Sequence, residues 1–295
     1  MTSKKVAFLS DESKRSIRIS WIKFSSNIFS VIGLSSVVLV IFLAIFAPWV
    51  APYPQSWAKW VDFTNTLKPP SLSHLFGTDQ FGRDILSRIF FGFRYDLSMA
   101  VTILILVVPL GVLLGLIAGY YMGSLIDTVI MRITDIFLAV PSLVLALVIC
   151  SLLGPSLFNS MVAVSVLWWP WYTRLAYGIT TSLKNEYFVQ SAELTGASTS
   201  HILFREILPN CISPIFTKMT LDVGWVILIG STLSFVGLGA QEPIPALGTM
   251  VASGTQYMPN YWWLTIFPAL AIAFTILGFN LLGDGLRDLF AVEEI

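Results

Sequence analysis

Charge is scarce in this chain: only 12% of its 295 residues are Lys, Arg, Asp or Glu, and seventeen basic side chains balance seventeen acidic ones to a formal net charge of zero. Without a basic excess there is no electrostatic footprint for a nucleic acid. Cysteine is rarer still, and Cys150 and Cys211 lie too far apart to make a disulfide framework or a metal-ligand spacing. No Gly-x-x-x-x-Gly-Lys-Ser/Thr run occurs, so the chain has no phosphate-cradling loop of its own. The two histidines, His74 and His201, fall in loops on opposite sides of the membrane in the topology derived below. They share neither a metal nor a catalytic dyad, and read as ordinary loop residues. No residue is therefore assigned to catalysis, to a cofactor or to a metal. What is plentiful is apolar side chain, at 56%, with a mean hydropathy of +0.79. A soluble chain cannot hide that much apolar surface, which leaves an integral membrane protein.

A spanning helix needs roughly 20 mostly apolar residues. Six stretches qualify: Ile28 to Val50, Leu97 to Tyr121, Met131 to Leu153, Leu157 to Tyr177, Ile212 to Leu238 and Tyr261 to Leu282. A charge at the bilayer centre costs about 2.5 to 3.5 kcal/mol on insertion scales. Arg132, Asp135, Lys218 and Asp222 are accordingly expected at helix ends, where long side chains snorkel. The first stretch begins too late and runs too long for a cleaved signal peptide and is expected to remain as an anchor. With the N-terminus inside, twelve Lys and Arg lie inside against five outside (Lys59, Lys68, Arg83, Arg88 and Arg94), which favours both termini inside. Trp168, Trp169 and Trp171 then mark an inner interface, and Tyr261, Trp262 and Trp263 an outer one.

Two connections are long enough to carry function. The external one, residues 51–96, is rich in proline and then reads Gly77-Thr78-Asp79-Gln80-Phe81-Gly82-Arg83-Asp84-Ile85-Leu86-Ser87-Arg88. Its glycines permit tight turns, and its alternating charges can pair with one another or with a partner. The internal one, residues 178–211, reads as two short helices. Asn185 caps the first, which runs to about Thr195 before Gly196 breaks it; Ser198 or Thr199 caps the second, which Pro209 closes. Phe188, Ala192 and Thr195 share one face beside Tyr187, Ser191 and Leu194. That semi-apolar surface suits a groove on another protein, since Glu186, Gln190 and Glu193 replace the basic face a membrane surface would select.

At this loop the sequence resembles a known family. Phe188 to Ser198, followed by Phe204-Arg205-Glu206-Ile207-Leu208-Pro209-Asn210, is similar to the EAA loop of ABC-importer permeases, with Ala192, Gly196, Leu208 and Pro209 at matching positions and Gln190 and Ser191 replacing the motif's Glu and Ala. The Gly77-Thr78-Asp79 and Gly82-Arg83-Asp84 pair with Ser87-Arg88 resembles the first-loop signature of the dipeptide, oligopeptide and nickel importers. Ser234 to Gly239 with Pro243, Pro245 and Gly248, and Phe279 to Asp288, resemble the turn after the fifth span and the chain end of the same group; the tail from Leu289 to Ile295 departs from it. Four motifs in order point to a C-type subunit.

The resemblance implies an all-α integral membrane protein with six transmembrane helices in the type I ABC importer (MetI-like) permease fold. Its expected parts are a cytoplasmic segment 1–27, an anchor helix 28–50, an extracytoplasmic loop 51–96, a five-helix core 97–288 containing the coupling loop 178–211, and a cytoplasmic tail 289–295. It further implies a heterodimer with a B-type permease subunit in a bacterial or archaeal plasma membrane. Two ABC ATPase subunits would carry ATP and Mg2+, an extracytoplasmic substrate-binding protein would deliver cargo, and membrane lipid would surround the spans. On that basis Glu186, Tyr187, Phe188, Gln190, Ser191, Ala192, Leu194, Gly196, Ala197, Arg205 and Pro209 are expected to couple to the ATPase. Gly77, Thr78, Asp79, Gly82, Arg83, Asp84 and Arg88 are expected at the extracytoplasmic face or gate. The expected function is half of an ATP-driven translocation pathway for di- or oligopeptides. The alternative is a secondary transporter or channel subunit for small polar solutes, whose signature would be ionisable groups in mid-span. The expected placement of Arg132, Asp135, Lys218, Asp222 and Asp284 toward span ends leaves it little material.

Overall fold

The computed structural model describes residues 19–291 apart from Ser20 and Ala58; Lys4, Lys5, Lys14, Arg15, Arg18, Glu293 and Glu294 lie outside the described residues. The helices are α1 (Ile28–Val50), α2 (Ile85–Tyr120), α3 (Leu125–Ala139), α4 (Ser142–Leu153), α5 (Leu157–Leu183), α6 (Tyr187–Leu194), α7 (Leu208–Phe235), α8 (Leu247–Thr255) and α9 (Trp263–Ala291). Polar caps set several starts. Asn27 accepts from the Phe29 amide at 3.0 Å, Asp84 from that of Ser87 at 2.8 Å, and Ser156 from that of Asn159 at 3.0 Å. Each cap satisfies an orphan amide and contributes about 1 kcal/mol.

The centre of the molecule is the contact between α2 and α5. Gly111 faces Trp169 and Tyr172, Gly115 faces Thr173 and Ala176, and Gly119 faces Tyr177 and Thr180, so the two helices run in the same direction. A Cβ at Gly111 would stand 2.5 Å from the Trp169 carbonyl oxygen, and one at Gly119 2.7 Å from Thr180 Cβ. Small residues every fourth position thus let backbones approach closely where hydrophobic burial offers no advantage over lipid. Tyr172, Ala176 and Thr180 are buried in that seam, together with Ile103, Val107 and Leu116 of α2.

Two parallel helices require a return path, and α3 with α4 supplies it. The pair is bent by 87°. Pro141 causes the bend: it forces Val140 into extended backbone (φ −92, ψ 132) and ends α3 there. The stretch from Met131 to Leu153, expected as one span, is therefore two arms that meet at Pro141. Its two arms, about 22 and 18 Å long at a rise of about 1.5 Å per residue, still cover most of a bilayer core together.

Contacts fix which helix ends meet. The Tyr53 amide donates to Ser87 Oγ at 3.0 Å, joining the end of α1 to the start of α2. Ser160 Oγ donates to the Leu238 carbonyl at 3.3 Å, bringing the start of α5 beside the end of α7. Trp263 Nε1 donates to the Thr78 carbonyl at 3.3 Å, adding the start of α9. At the other end the Tyr120 hydroxyl donates to Glu193 Oε1 at 2.9 Å, and Asn27 Nδ2 to Asp288 Oδ2 at 3.5 Å. The start of α1 and the end of α9 therefore lie together, remote from the start of α2. Among the described residues four helices are long and apolar enough to cross a membrane, and the bent pair makes a fifth. α5 has the length, at 27 residues, but its Ser, Thr, Asn and Arg residues keep it outside that group.

Three expectations change. α2 starts at Ile85, so residues 85–96 are helix rather than loop, and Asp96 is buried within it. Pro209 does not close a short helix: the chain is helical without interruption from Thr199 to Phe235, 37 residues. Residues Ile202–Ile207 form a π turn in which the Leu208 amide reaches back five residues to Leu203, and Pro209, with no amide of its own, follows at the start of α7. Lys218 and Asp222 consequently sit near the middle of that long helix and not at its end. Asp135 and Arg174, by contrast, are exposed and paired with each other.

Gly115→Leu should prevent the α2–α5 approach, because the new side chain meets the backbone of Thr173 and not a movable rotamer. It is expected to cost more than about 3 kcal/mol, the upper end of ordinary overpacking. Gly178→Ala, where a Cβ meets nothing within 4 Å, should be neutral or slightly stabilising. Thermal unfolding of the two purified variants in detergent checks the contrast.

Candidate functional site

The segment from Gly77 to Arg88 folds into an elbow at the start of α2. Thr78 and Asp84 form an isolated antiparallel bridge, the Asp79 amide donates to the Arg83 carbonyl at 3.0 Å, and Ile85 returns to the Gly77 carbonyl at 3.1 Å. Gly82 takes φ +72 and its missing Cβ leaves room for the Asp62 carbonyl, so only glycine fits the tip. Asp62 holds the tip from behind: its amide donates to the Phe81 carbonyl at 2.8 Å. Hydrogen bonds from Thr64 and Asn65 to its carboxylate draw the Asp62 pKa below the ordinary value.

The elbow's charges pair with one another. Arg83 Nε donates to Asp79 Oδ2 at 2.6 Å, while Asp79 Oδ1 accepts from the amides of Phe81 and Arg83, each at 2.9 Å. Arg88 Nε approaches Asp79 Oδ2 at 3.7 Å. His74 Nδ1 and Asp84 Oδ1 are 2.9 Å apart, and Asp84 also accepts from Ser87 Oγ at 2.7 Å. Asp79, Arg83, Asp84 and Arg88 are all between 1% and 6% exposed. One member is absent from the sequence reading: Glu242, in the connection between α7 and α8, accepts from Arg83 Nη1 at 3.1 Å and from Arg88 Nη2 at 3.4 Å. It lies 159 residues from Arg83, and no local pattern announces a pairing at that separation. All seven residues predicted for this face thus meet at one place, where they build a buried ionic joint and present few charges outward.

The second predicted group lies at the opposite end of α2, which is about 54 Å long at about 1.5 Å per residue. α6 begins at Tyr187 with Glu186, not Asn185, in the capping position, and no side chain caps it. It ends at Leu194: the Gly196 amide donates to the Glu193 carbonyl and the Ala197 amide to that of Ala192, both at 3.0 Å, with Gly196 at φ +79. This is the Schellman termination, in which glycine avoids roughly 1 kcal/mol of left-handed strain. Tyr187 and Leu194 are 85% and 89% exposed, and Phe188, Gln190, Ser191 and Gly196 are exposed beside them. Ala192 and Ala197 turn toward the core, and Arg205 and Pro209 are exposed on the π turn and the start of α7. Val189, fully buried, anchors α6 to the bundle. Sequence reasoning passed over it, although a single apolar residue opposite an exposed face is the available signal.

Arg83→Ala should leave Asp79 buried with a weaker partner and cost about 3 kcal/mol or more. Glu242→Gln, at the partly exposed rim, should cost less than about 1 kcal/mol. Unfolding midpoints of the purified variants separate the two.

Comparison with known proteins agrees with this geometry. Residues 111–292 match the family described as binding-protein-dependent transport system inner membrane component, and residues 17–70 match the N-terminal TM domain of oligopeptide transport permease C. The chain is 42% identical over 253 residues to a probable D,D-dipeptide transport system permease protein of Escherichia coli strain K12, covering 86% of this chain and 84% of that one. It is 40% identical over 274 residues to the dipeptide transport system permease protein of Haemophilus influenzae, covering 91% and 92%. It is 38% identical over 279 residues to the oligopeptide transport system permease protein of Bacillus subtilis, covering 94% and 90%. Among solved structures, an inward-facing conformation of the MetNI methionine ABC transporter matches with a TM-score of 0.54 at 18% identity, over 68% of this chain and 94% of that one, which establishes the fold. The MetI-like helical core is thus that of a permease, and the chain belongs to the family of binding-protein-dependent transport system inner membrane components, among the C-type permeases of dipeptide and oligopeptide ABC transport.

Proposed function

We propose that this chain forms one half of the translocation pathway of an ATP-driven importer of di- or oligopeptides, paired with a B-type permease subunit. In this reading six segments cross a bacterial or archaeal plasma membrane, with α5 as a sixth span and both termini cytoplasmic. Two separate ABC ATPase subunits hold ATP and Mg2+ and carry out hydrolysis, and this chain performs no catalysis itself. α6 seats in a groove of one ATPase subunit, and the elbow lies on the extracytoplasmic side, where a substrate-binding protein delivers cargo. Because Asp79, Arg83 and Arg88 are buried and internally paired, we assign the elbow to holding the outer ends of α2, α8 and α9 together, and not to gripping the binding protein with those charges.

The observation that carries this reading is the exposure of Tyr187, Phe188 and Leu194 on a helix pinned by Val189, at the far end of α2 from the elbow. Apolar side chains held rigidly outside the bundle suit the helix-in-groove mode of recognition. Closure of the ATPase pair then moves α6, and the long helices pass the displacement to the other end, switching access. The comparison family and the ATP-dependent partners it implies stand against the ion-driven transporter or channel weighed from sequence alone.

Gly196→Asp should abolish ATP-driven uptake while leaving membrane insertion intact. A Cβ there meets nothing within 4 Å in the chain itself, so the loss would come from the partner surface and backbone strain. Uptake and substrate-stimulated ATP hydrolysis at normal levels in the reconstituted complex would overturn the coupling role. For sidedness, Leu72→Cys, at a position 98% exposed in the elbow loop, should react with a membrane-impermeant maleimide in intact spheroplasts, where native Cys150 and Cys211 are fully buried. Labelling only after lysis would reverse the topology.

A further inference from the structure

Arg94 breaks the rule that charges near the elbow pair with one another. Arg83 and Arg88 are buried on carboxylates, whereas Arg94, further along α2, is exposed and forms no ion pair among the described residues. Asp96 does not serve it: residues two apart on a helix do not face each other, and Asp96 is buried. Arg94 instead lines a groove of about 450 Å³ whose walls include Ile41 and Ile45 of α1, Leu97 and Val101 of α2, Val223 of α7 and Phe279 of α9. No acidic residue lines that groove. We propose that it binds an anionic phospholipid, with the lipid phosphate on the Arg94 guanidinium and one acyl chain along the apolar walls. Such a site is independent of what the transporter carries.

Position along the helix puts the charge at a suitable depth. The hydrogen bond from the Tyr53 amide to Ser87 Oγ marks where the end of α1 meets the start of α2. Arg94 lies seven residues inward from Ser87, about 10 Å along the helix at about 1.5 Å per residue, and Val101 lies about 10 Å deeper again. Helical side chains lean toward the N-terminus of their own helix, so the Arg94 stem leads its charge back toward the elbow and the headgroup layer on that side. Tryptophan, which favours that layer, stands beside it. Trp57 stacks on Phe91, one turn before Arg94, with ring centroids 5.7 Å apart, and Trp49 in the last turn of α1 is 76% exposed. Below the charge, toward the bilayer centre, Ile41, Ile45 and Val101 expose apolar surface along the groove.

Charge distribution selects the occupant. A single cation beside otherwise apolar walls is the complement of an amphiphile with one anionic head. A guanidinium forks onto two phosphate oxygens, and such charge-assisted hydrogen bonds are roughly twice as strong as neutral ones. A zwitterionic head fits less well, because its ammonium finds no carboxylate in the groove. A helix of another protein would have to bring its own carboxylate into an apolar setting and bear the desolvation cost, whereas a lipid phosphate already resides at headgroup level. The volume is within the usual range for small-molecule sites, roughly 300 to 1,000 Å³.

Photocrosslinking from inside the groove tests the assignment. The complete transporter, with a benzophenone amino acid in place of Val101, is reconstituted into nanodiscs of equal parts dioleoylphosphatidylglycerol and dioleoylphosphatidylcholine and irradiated, and the adducts on this chain are identified by mass spectrometry. Phosphatidylglycerol should be captured roughly threefold more often than phosphatidylcholine, or better, and Arg94→Gln should bring that ratio to about one. Equal capture of the two lipids with Arg94 intact would overturn the site whatever the folding of the Arg94 variant, and so would a preference that survives Arg94→Gln. A crosslink to the partner permease in place of lipid would overturn it as well and assign the groove to a protein interface.

Discussion

The close approach of α2 and α5 along Gly111, Gly115 and Gly119 is the contact around which the other helices are arranged. In a bilayer, apolar side chains gain little by leaving lipid for protein, so helix association depends on how closely backbones can pack. Three glycines at a spacing of four give α2 a continuous shallow face, and Tyr172, Thr173, Ala176 and Thr180 of α5 fill it. Because the two helices run in the same direction, the chain must travel back between them, and the proline-bent α3 and α4 make that journey. Ala146 and Cys150 of α4 are fully buried against the same core.

The central pair touches both surfaces. α2 starts in the ionic elbow and ends at Tyr120, whose hydroxyl reaches Glu193 of α6. Lys184, just beyond α5, donates to the Tyr120 carbonyl at 2.6 Å. Both helices of the central pair therefore end on the short segment that carries α6. At the opposite end Arg83 and Arg88 join α2 to Glu242 beside α8, and Trp263 of α9 hydrogen-bonds Thr78. In the proposed reading, a displacement of α6 would reach that ionic joint along the packed helices of the central pair.

Much of this was legible in the sequence wherever the cause was local. Gly196 announced the end of α6, and the Gly77 to Arg88 run announced a turn with paired charges. What escaped depended on distance along the chain or on backbone geometry. Glu242 joins the elbow from the far side of the chain, and a carboxylate beside two prolines carries no sign of its partners. Pro209 looks like a stop, but the π turn before it supplies the extra residue that lets the helix run on. That continuation moved Lys218 and Asp222 from a supposed helix end into mid-helix. Pro141 breaks the third apolar stretch by 87°, an angle that its residue type alone does not specify.

The central claim is that α6 is the surface through which an ATPase drives this bundle, and proximity tests it most directly. A cysteine at Leu194, coupled to a short photoreactive cross-linker in the fully assembled complex, reports what lies against the exposed face of α6. Capture of an ATPase subunit in high yield, with a yield that changes when ATP is bound, is the predicted result. Capture of lipid alone, or of the partner permease in every nucleotide state, would contradict the account.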